Sequence, residues 1–170
     1  MSTNIQELFI KMDALTLVQV HGHWLNELKA RDMIRTRNVI GELGEYFALK
    51  HYNETLSLSD LQIMDIGTQG IDAIDLKGNR YSIKTVTSAT TGVFNGLNDP
   101  DSKLPQEQKF EYVIIVILDN DFTLQAIYEL NWKAFLNHKK WNKSKRTWHL
   151  TISESLKRDA KLLYKSHSCI

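Results

Sequence analysis

Apolar residues recur at three- and four-residue intervals through the first part of the chain. Ile5, Leu8, Phe9, Met12 and Leu15 mark one face of a helix. The spacing predicts helical structure over residues 4–30, broken at Gly22. A second helix is expected over 37–51, with Thr36 as its N-cap. Ile40, Leu43, Gly44, Phe47 and Ala48 fall on its packing face. At about 100° per residue, Glu45 sits on the shoulder of that face and Glu42 almost opposite it. Glu42 is therefore expected in solvent, whereas Glu45 can point along a sheet edge. Gly44, on the packing face, would let the helix approach a sheet closely.

Beyond residue 60 the pattern changes to strands. Residues 62–66 predict one strand, and Gly70 to Val86, GIDAIDLKGNRYSIKTV, predict two more joined by a tight turn. Residues 87–108 contain Gly92, Gly96, Pro100 and Pro105 and read as a long loop. A connection of that length is usually functional or disordered. The unbroken apolar run YVIIVIL at 112–118 predicts a central strand buried on both faces. After a turn at 119–121 come a strand over 122–129, a short helix over 132–137, a strand over 147–152 and a helix over 153–164. Helices followed by a mixed sheet with covering elements predict an α/β (α+β) sandwich. The expected organisation is one domain over 1–170, with 1–35 as a helical N-terminal extension.

The hairpin holds the candidate chemistry. Its first strand carries Asp72 and Asp75, its second Ser82, Ile83 and Lys84. Ser82 and Lys84 share a face because strand side chains alternate. A three-residue loop, Leu76 to Gly78, pairs Asp75 with Asn79 and puts Asp72 opposite Ser82. A two-residue loop at Gly78 and Asn79 slips the register by one and puts Asp75 there instead. The first register is preferred because Gly78 then takes the position needing positive φ. A carboxylate facing a lysine can hold a divalent metal beside a reacting phosphate. An ordinary surface hairpin with solvated charges carries the same residues.

Charge matters only once it is located along the chain. The net charge is +1, yet residues 131–153 contain no acid. That segment carries Lys133, Lys139, Lys140, Lys143, Lys145, Arg146, His138 and His149, interleaved with Trp132, Trp141 and Trp148. Such a segment suits a phosphate backbone, or is a solvated lysine-rich loop. An apolar share of 42% supports a core, and no run of 18 apolar residues predicts a membrane span. No secretory signal is read at the N-terminus. Cys169 is the sole cysteine, so an internal disulfide is excluded and a reducing, cytoplasmic setting is expected. Zinc and thiol catalysis have little to draw on.

A helix glutamate, a strand aspartate and a later lysine tripeptide, in that order, resemble the PD-(D/E)XK nuclease superfamily, the restriction-endonuclease-like fold. Glu45 in GELGEYFA resembles the helix glutamate and Asp72 in GIDAID the strand aspartate. Ser82, Ile83 and Lys84 occupy the tripeptide, ten residues after Asp72. The hairpin, Thr91–Gly92, AIYEL at 126–130 and KKW at 139–141 are similar in order to PvuII-type restriction endonucleases, over roughly residues 66–150. ELKARDMIRTRNVIGELGEYFAL is also similar to small restriction-like proteins carrying Gln in place of the acid.

The resemblance implies a Mg²⁺-dependent endodeoxyribonuclease, with Mn²⁺ as a substitute, acting in restriction-modification or defence. Asp72, Glu45 and the Ile83 carbonyl are the implied metal ligands, and Lys84 orients the attacking water. Thr85 and Thr87 are candidates for phosphate contacts or support of the site, and Lys139, Lys140, Lys143, Lys145 and Arg146 for tracking the DNA backbone. Double-stranded DNA is the implied partner, and cutting both strands implies a homodimer through the N-terminal helices. The chain departs from the pattern at Ser82, which stands where the tripeptide has an acid. Three readings follow. The second carboxylate has moved to the helix as Glu45, or less favourably Glu42; Asp72, the Ile83 carbonyl and water suffice; or the site is degenerate and binds DNA or a partner without cutting.

Overall fold

Two N-terminal helices stand where one broken helix was expected, α1 (Ile5–Ile10) and α2 (Ala14–Ala30). The break is at Asp13, not Gly22. The Asp13 carboxylate accepts from the Thr16 backbone N–H at 2.8 Å and so starts a new helix. Gly22 lies within α2, because one helical glycine costs only about 1 kcal/mol. The structure, a computed structural model, describes residues 4–166 other than 66 and 69. The expected end of the first strand at Ile66, and Cys169, lie outside the described residues.

Helix α3 (Val39–Glu54) starts two residues later than expected. Asn38, not Thr36, occupies the N-cap, and its side chain makes no capping bond. Ile40 is exposed rather than packed. Gly44 is buried as its position suggested. A Cβ there would stand 2.7 Å from the Thr85 Cβ, so only glycine lets α3 lie this close to the sheet.

The strands are β1 (Leu61–Ile63), β2 (Ala73–Asp75), β3 (Arg80–Val86), β4 (Tyr112–Leu118) and β5 (Leu124–Asn131). Then come α4 (Trp132–His138), the small hairpin β6 (Lys140–Asn142) and β7 (Thr147–His149), α5 (Glu154–Asp159) and β8 (Lys161–Lys165). The main sheet runs β1-β2-β3-β4-β5-β8. Only β3 and β4 pair in parallel; every other neighbouring pair is antiparallel. The fold is mixed α/β, a mostly antiparallel sheet flanked by helices, as the pattern of elements implied.

The tail departs from expectation. Ser153 caps a helix of six residues only, and residues 161–165 add a sheet strand to β5. An edge strand needs partners for its backbone, and the tail supplies them. Strand β6 was also missed, being a short polar strand without alternation.

Alternation on β4 divides the core. Ile114, Val116 and Leu118 pack with Leu43, Ala48 and Tyr52 of α3. Val113 and Ile115 pack on the other face with Phe94, Phe110, Phe135 and Leu150. Phe94 and Phe110 belong to the long connection between β3 and β4. That connection is held by bridges from Phe94 to Trp148 in β7 and from Thr90 to Thr151 just after it. It covers the second face in place of a crossover helix.

Candidate functional site

The hairpin adopts the register of the three-residue loop, and just beyond its last pair the Asp72 side chain meets Ser82. Ala73 pairs with Tyr81 and Ile74 with Arg80, and the Asp72 N–H donates to the Tyr81 carbonyl at 2.8 Å. Gly78 has φ of +82°, as the three-residue loop requires. Asp75 is thereby assigned to the turn. Its buried carboxylate accepts from the backbone N–H of Lys77 at 2.8 Å and Asn79 at 2.9 Å, from Asn79 Nδ2 at 2.8 Å and from the Tyr81 hydroxyl at 3.3 Å. Burial alone would raise its pKa, but these donors outweigh burial and hold it below the ordinary carboxylate value.

Asp72 lies where β2 parts from β3. Its Oδ2 accepts from the Ile83 backbone N–H at 2.6 Å and from Ser82 Oγ at 3.3 Å. A residue's N–H and C=O leave a strand on the same side, so the Ile83 carbonyl also points toward this edge. Ser82 is fully buried.

Glu45 reaches the same edge from α3. Together with Asp72, Asp65, Glu42, Thr36 and Arg35 it lines a pocket of about 190 Å³. Burial, and then the Asp72 charge, push the Glu45 pKa up; the Arg35 guanidinium opposes them from 2.8 Å. Glu42 is buried, not solvated as the helical wheel suggested. It accepts from the backbone N–H groups of Arg35 and Thr36 and from the Thr36 hydroxyl. Burial opposes ionisation of Glu42, but these donors keep its pKa low. The link at 31–38 folds back over α3 and covers that face, which a wheel drawn for an isolated helix cannot foresee. Glu42 therefore anchors the link, and Glu45 is the carboxylate beside Asp72.

Lys84 shares the Ser82 face, opposite the face on which α3 packs. Its Nζ lies 5.2 Å from the Phe94 ring centroid. Among the described residues it makes no ion pair. Thr85 points the other way, under α3, with its hydroxyl 3.4 Å from the Gly41 carbonyl. It supports the helix and does not present a phosphate donor beside Lys84. Thr87 is exposed just past the end of β3.

The basic segment forms the β6–β7 hairpin. Lys140, Lys143 and Lys145 are exposed. Arg146 is paired with Asp99. Lys139 differs, because its Nζ lies 3.2 Å from the Trp148 ring centroid and burial lowers its pKa. Lys139 thus stabilises the hairpin. The Trp148 indole N–H donates to the Asn98 carbonyl at 2.8 Å and Trp141 packs at 5.0 Å, so the hairpin is fixed to the body.

Among the described residues no group of three or more His, Cys, Asp or Glu side chains is set to hold a metal ion. The oxygen donors at the edge nevertheless suit a hard divalent cation: two carboxylates, Asp72 and Glu45, and one strand carbonyl, Ile83. Glu45 and Asp72 line the same pocket, and like charges held together there would be offset by a cation between them. Sequence reasoning missed Arg35, which balances Glu45. Nothing in its polar link distinguishes it from Arg31 or Arg37.

Comparison with known proteins adds no family assignment: the chain matches no protein-family model and no curated sequence.

Proposed function

We propose that this protein is a metal-dependent endonuclease of the restriction-endonuclease-like type, acting on duplex DNA. The observation that carries the reading is the hairpin register. It brings the Asp72 carboxylate to Ser82 and Ile83, with Glu45 in the pocket that Asp72 lines and Lys84 on the Ser82 face of β3, outside that pocket. The order of Glu45, Asp72 and Lys84 along the chain supports it further.

In this reading Asp72, Glu45 and the Ile83 carbonyl hold Mg²⁺ or Mn²⁺. The ion polarises the scissile phosphate and acidifies water. The Ile83 N–H and Ser82 hydroxyl orient Asp72. Among the described residues Lys84 has no anionic partner, and its ammonium is available to stabilise charge developing on the phosphate. Lys140, Lys143 and Lys145 follow the backbone from the β6–β7 hairpin, with Lys139 bracing it.

A second reading is a DNA-binding protein with a silent site. It is favoured by buried Ser82 in place of an acid, and by the Arg35–Glu45 pair. Cleavage of supercoiled plasmid separates the two. Wild type should cut with Mg²⁺ or Mn²⁺ and not with EDTA, and Lys84→Ala should lose cutting by about two orders of magnitude or more. A folded wild type that binds DNA but cuts in neither metal establishes the second reading.

Exposed apolar side chains, among them Ile5, Ile10, Leu15 and Val18, lie on α1 and α2. They support a homodimer through these helices, as a double-strand cut requires.

A further inference from the structure

Arg35 is fixed at its backbone and carries its charge on a partly exposed tip. Its N–H is held by the Glu42 carboxylate, so the root of the side chain cannot shift without dismantling the link. Its guanidinium donates to Glu45 Oε2 at 2.8 Å and to the Met64 carbonyl at 3.2 Å, and the side chain is about a third exposed. The pair it forms with Glu45 divides two cavities. On one side is the polar pocket containing Asp72. On the other is a cavity of about 380 Å³ lined by Met33, Ile34, Tyr46, Leu49 and Ile63. The guanidinium therefore has room to turn off Glu45.

Resting on the metal-dependent reading above, we infer that Arg35 is an internal stand-in for the cation. It neutralises Glu45 beside Asp72 while the metal is absent, and exchanges Glu45 for a phosphate oxygen of the DNA when a divalent ion binds. The reasons are electrostatic. Glu45 and Asp72 line one pocket as two anions, and the single monovalent guanidinium on Glu45 offsets only part of their combined charge. A divalent ion on the same carboxylates would be a like charge close to Arg35 and would drive it away. A released guanidinium has the fork geometry that suits paired phosphate oxygens. Arg35 is thus a positioning residue, coupling cation uptake to substrate contact.

The test measures two affinities of the full-length protein: Mn²⁺ without DNA, by electron paramagnetic resonance of the free ion, and a DNA duplex in Ca²⁺, by anisotropy. Arg35→Ala should bind Mn²⁺ about tenfold more tightly, because a competing charge is gone. It should bind the duplex about tenfold more weakly, because a phosphate contact is lost. Arg35→Met keeps the aliphatic stem and should shift both affinities the same way, which covers a fold defect specific to alanine. A purely structural ion pair would weaken both affinities together, and that outcome overturns the inference. So does unchanged Mn²⁺ binding in both variants while wild type binds Mn²⁺ and DNA. If wild type and variants all fail to bind Mn²⁺, the metal-dependent reading falls, and the inference with it.

Discussion

Asp72 and Ser82 face each other across the hairpin, and the Ser82 hydroxyl donates to the Asp72 carboxylate at 3.3 Å. Ser82 is fully buried, whereas Asp72 is half-buried and lines the pocket. Ser82→Ala should cost about 1 kcal/mol, the loss of one hydrogen bond. Ser82→Asp should cost about 3 kcal/mol or more, because a second carboxylate would be buried against the first. Millimolar Mn²⁺ should recover much of that loss if cations bind here. Thermal melts with EDTA and with Mn²⁺ provide the check; a Ser82→Asp melt indifferent to Mn²⁺ would count against a cation at this edge.

Asp75 ties the turn that sets this register. Asp75→Ala should destabilise the protein by about 3 kcal/mol, since it strands donors from Lys77, Asn79 and Tyr81. The pH dependence follows from its lowered pKa. The folded value lies below the unfolded one, so the stabilisation is complete above the unfolded pKa and disappears as pH falls through the folded pKa. Wild type and Asp75→Ala should therefore differ in urea midpoint at pH 7 and converge toward pH 2.

Gly44 is required by the closeness of α3 to β3. Gly44→Ala forces its Cβ against Thr85 and should cost about 2 kcal/mol, despite the gain in helix propensity. Combining it with Thr85→Gly should cost less than the sum of the two single changes. Additive urea-unfolding losses in this double-mutant cycle would argue against direct contact.

The lysines of the β6–β7 hairpin should divide into two groups. Lys143→Ala and Lys145→Ala remove exposed charges and should each lower the salt slope of DNA binding by about 0.9, with little change in stability. Lys139→Ala removes the cation over Trp148 and should lower stability by about 1 kcal/mol. Binding isotherms at several salt concentrations, paired with thermal melts, test both. Equal behaviour of Lys139→Ala and Lys143→Ala would remove the distinction.

The N-terminal helices supply a further test. Leu15→Glu with Val18→Glu should leave the fold intact, because both side chains are exposed, and should convert a dimer to a monomer. Sedimentation equilibrium over a range of concentrations reads this directly. A wild type that is monomeric throughout would remove the dimer from the proposed function.

Local patterns in the chain determined the strand at 112–118, where an unbroken apolar run has no other stable environment. They also determined the hairpin register, because Gly78 is the residue that accepts positive φ there. The close approach at Gly44 was likewise legible. Three outcomes depended on contacts distant in sequence. Glu42 is buried because the link at 31–38 returns over α3, and a helical wheel contains no information about what covers a helix. The tail forms β8 because the β5 edge needs a partner, a demand made by the sheet and not by residues 161–165 themselves. Arg35 meets Glu45 for the same kind of reason: ten residues separate them in the chain, and only the folded link brings their opposite charges together beside Asp72.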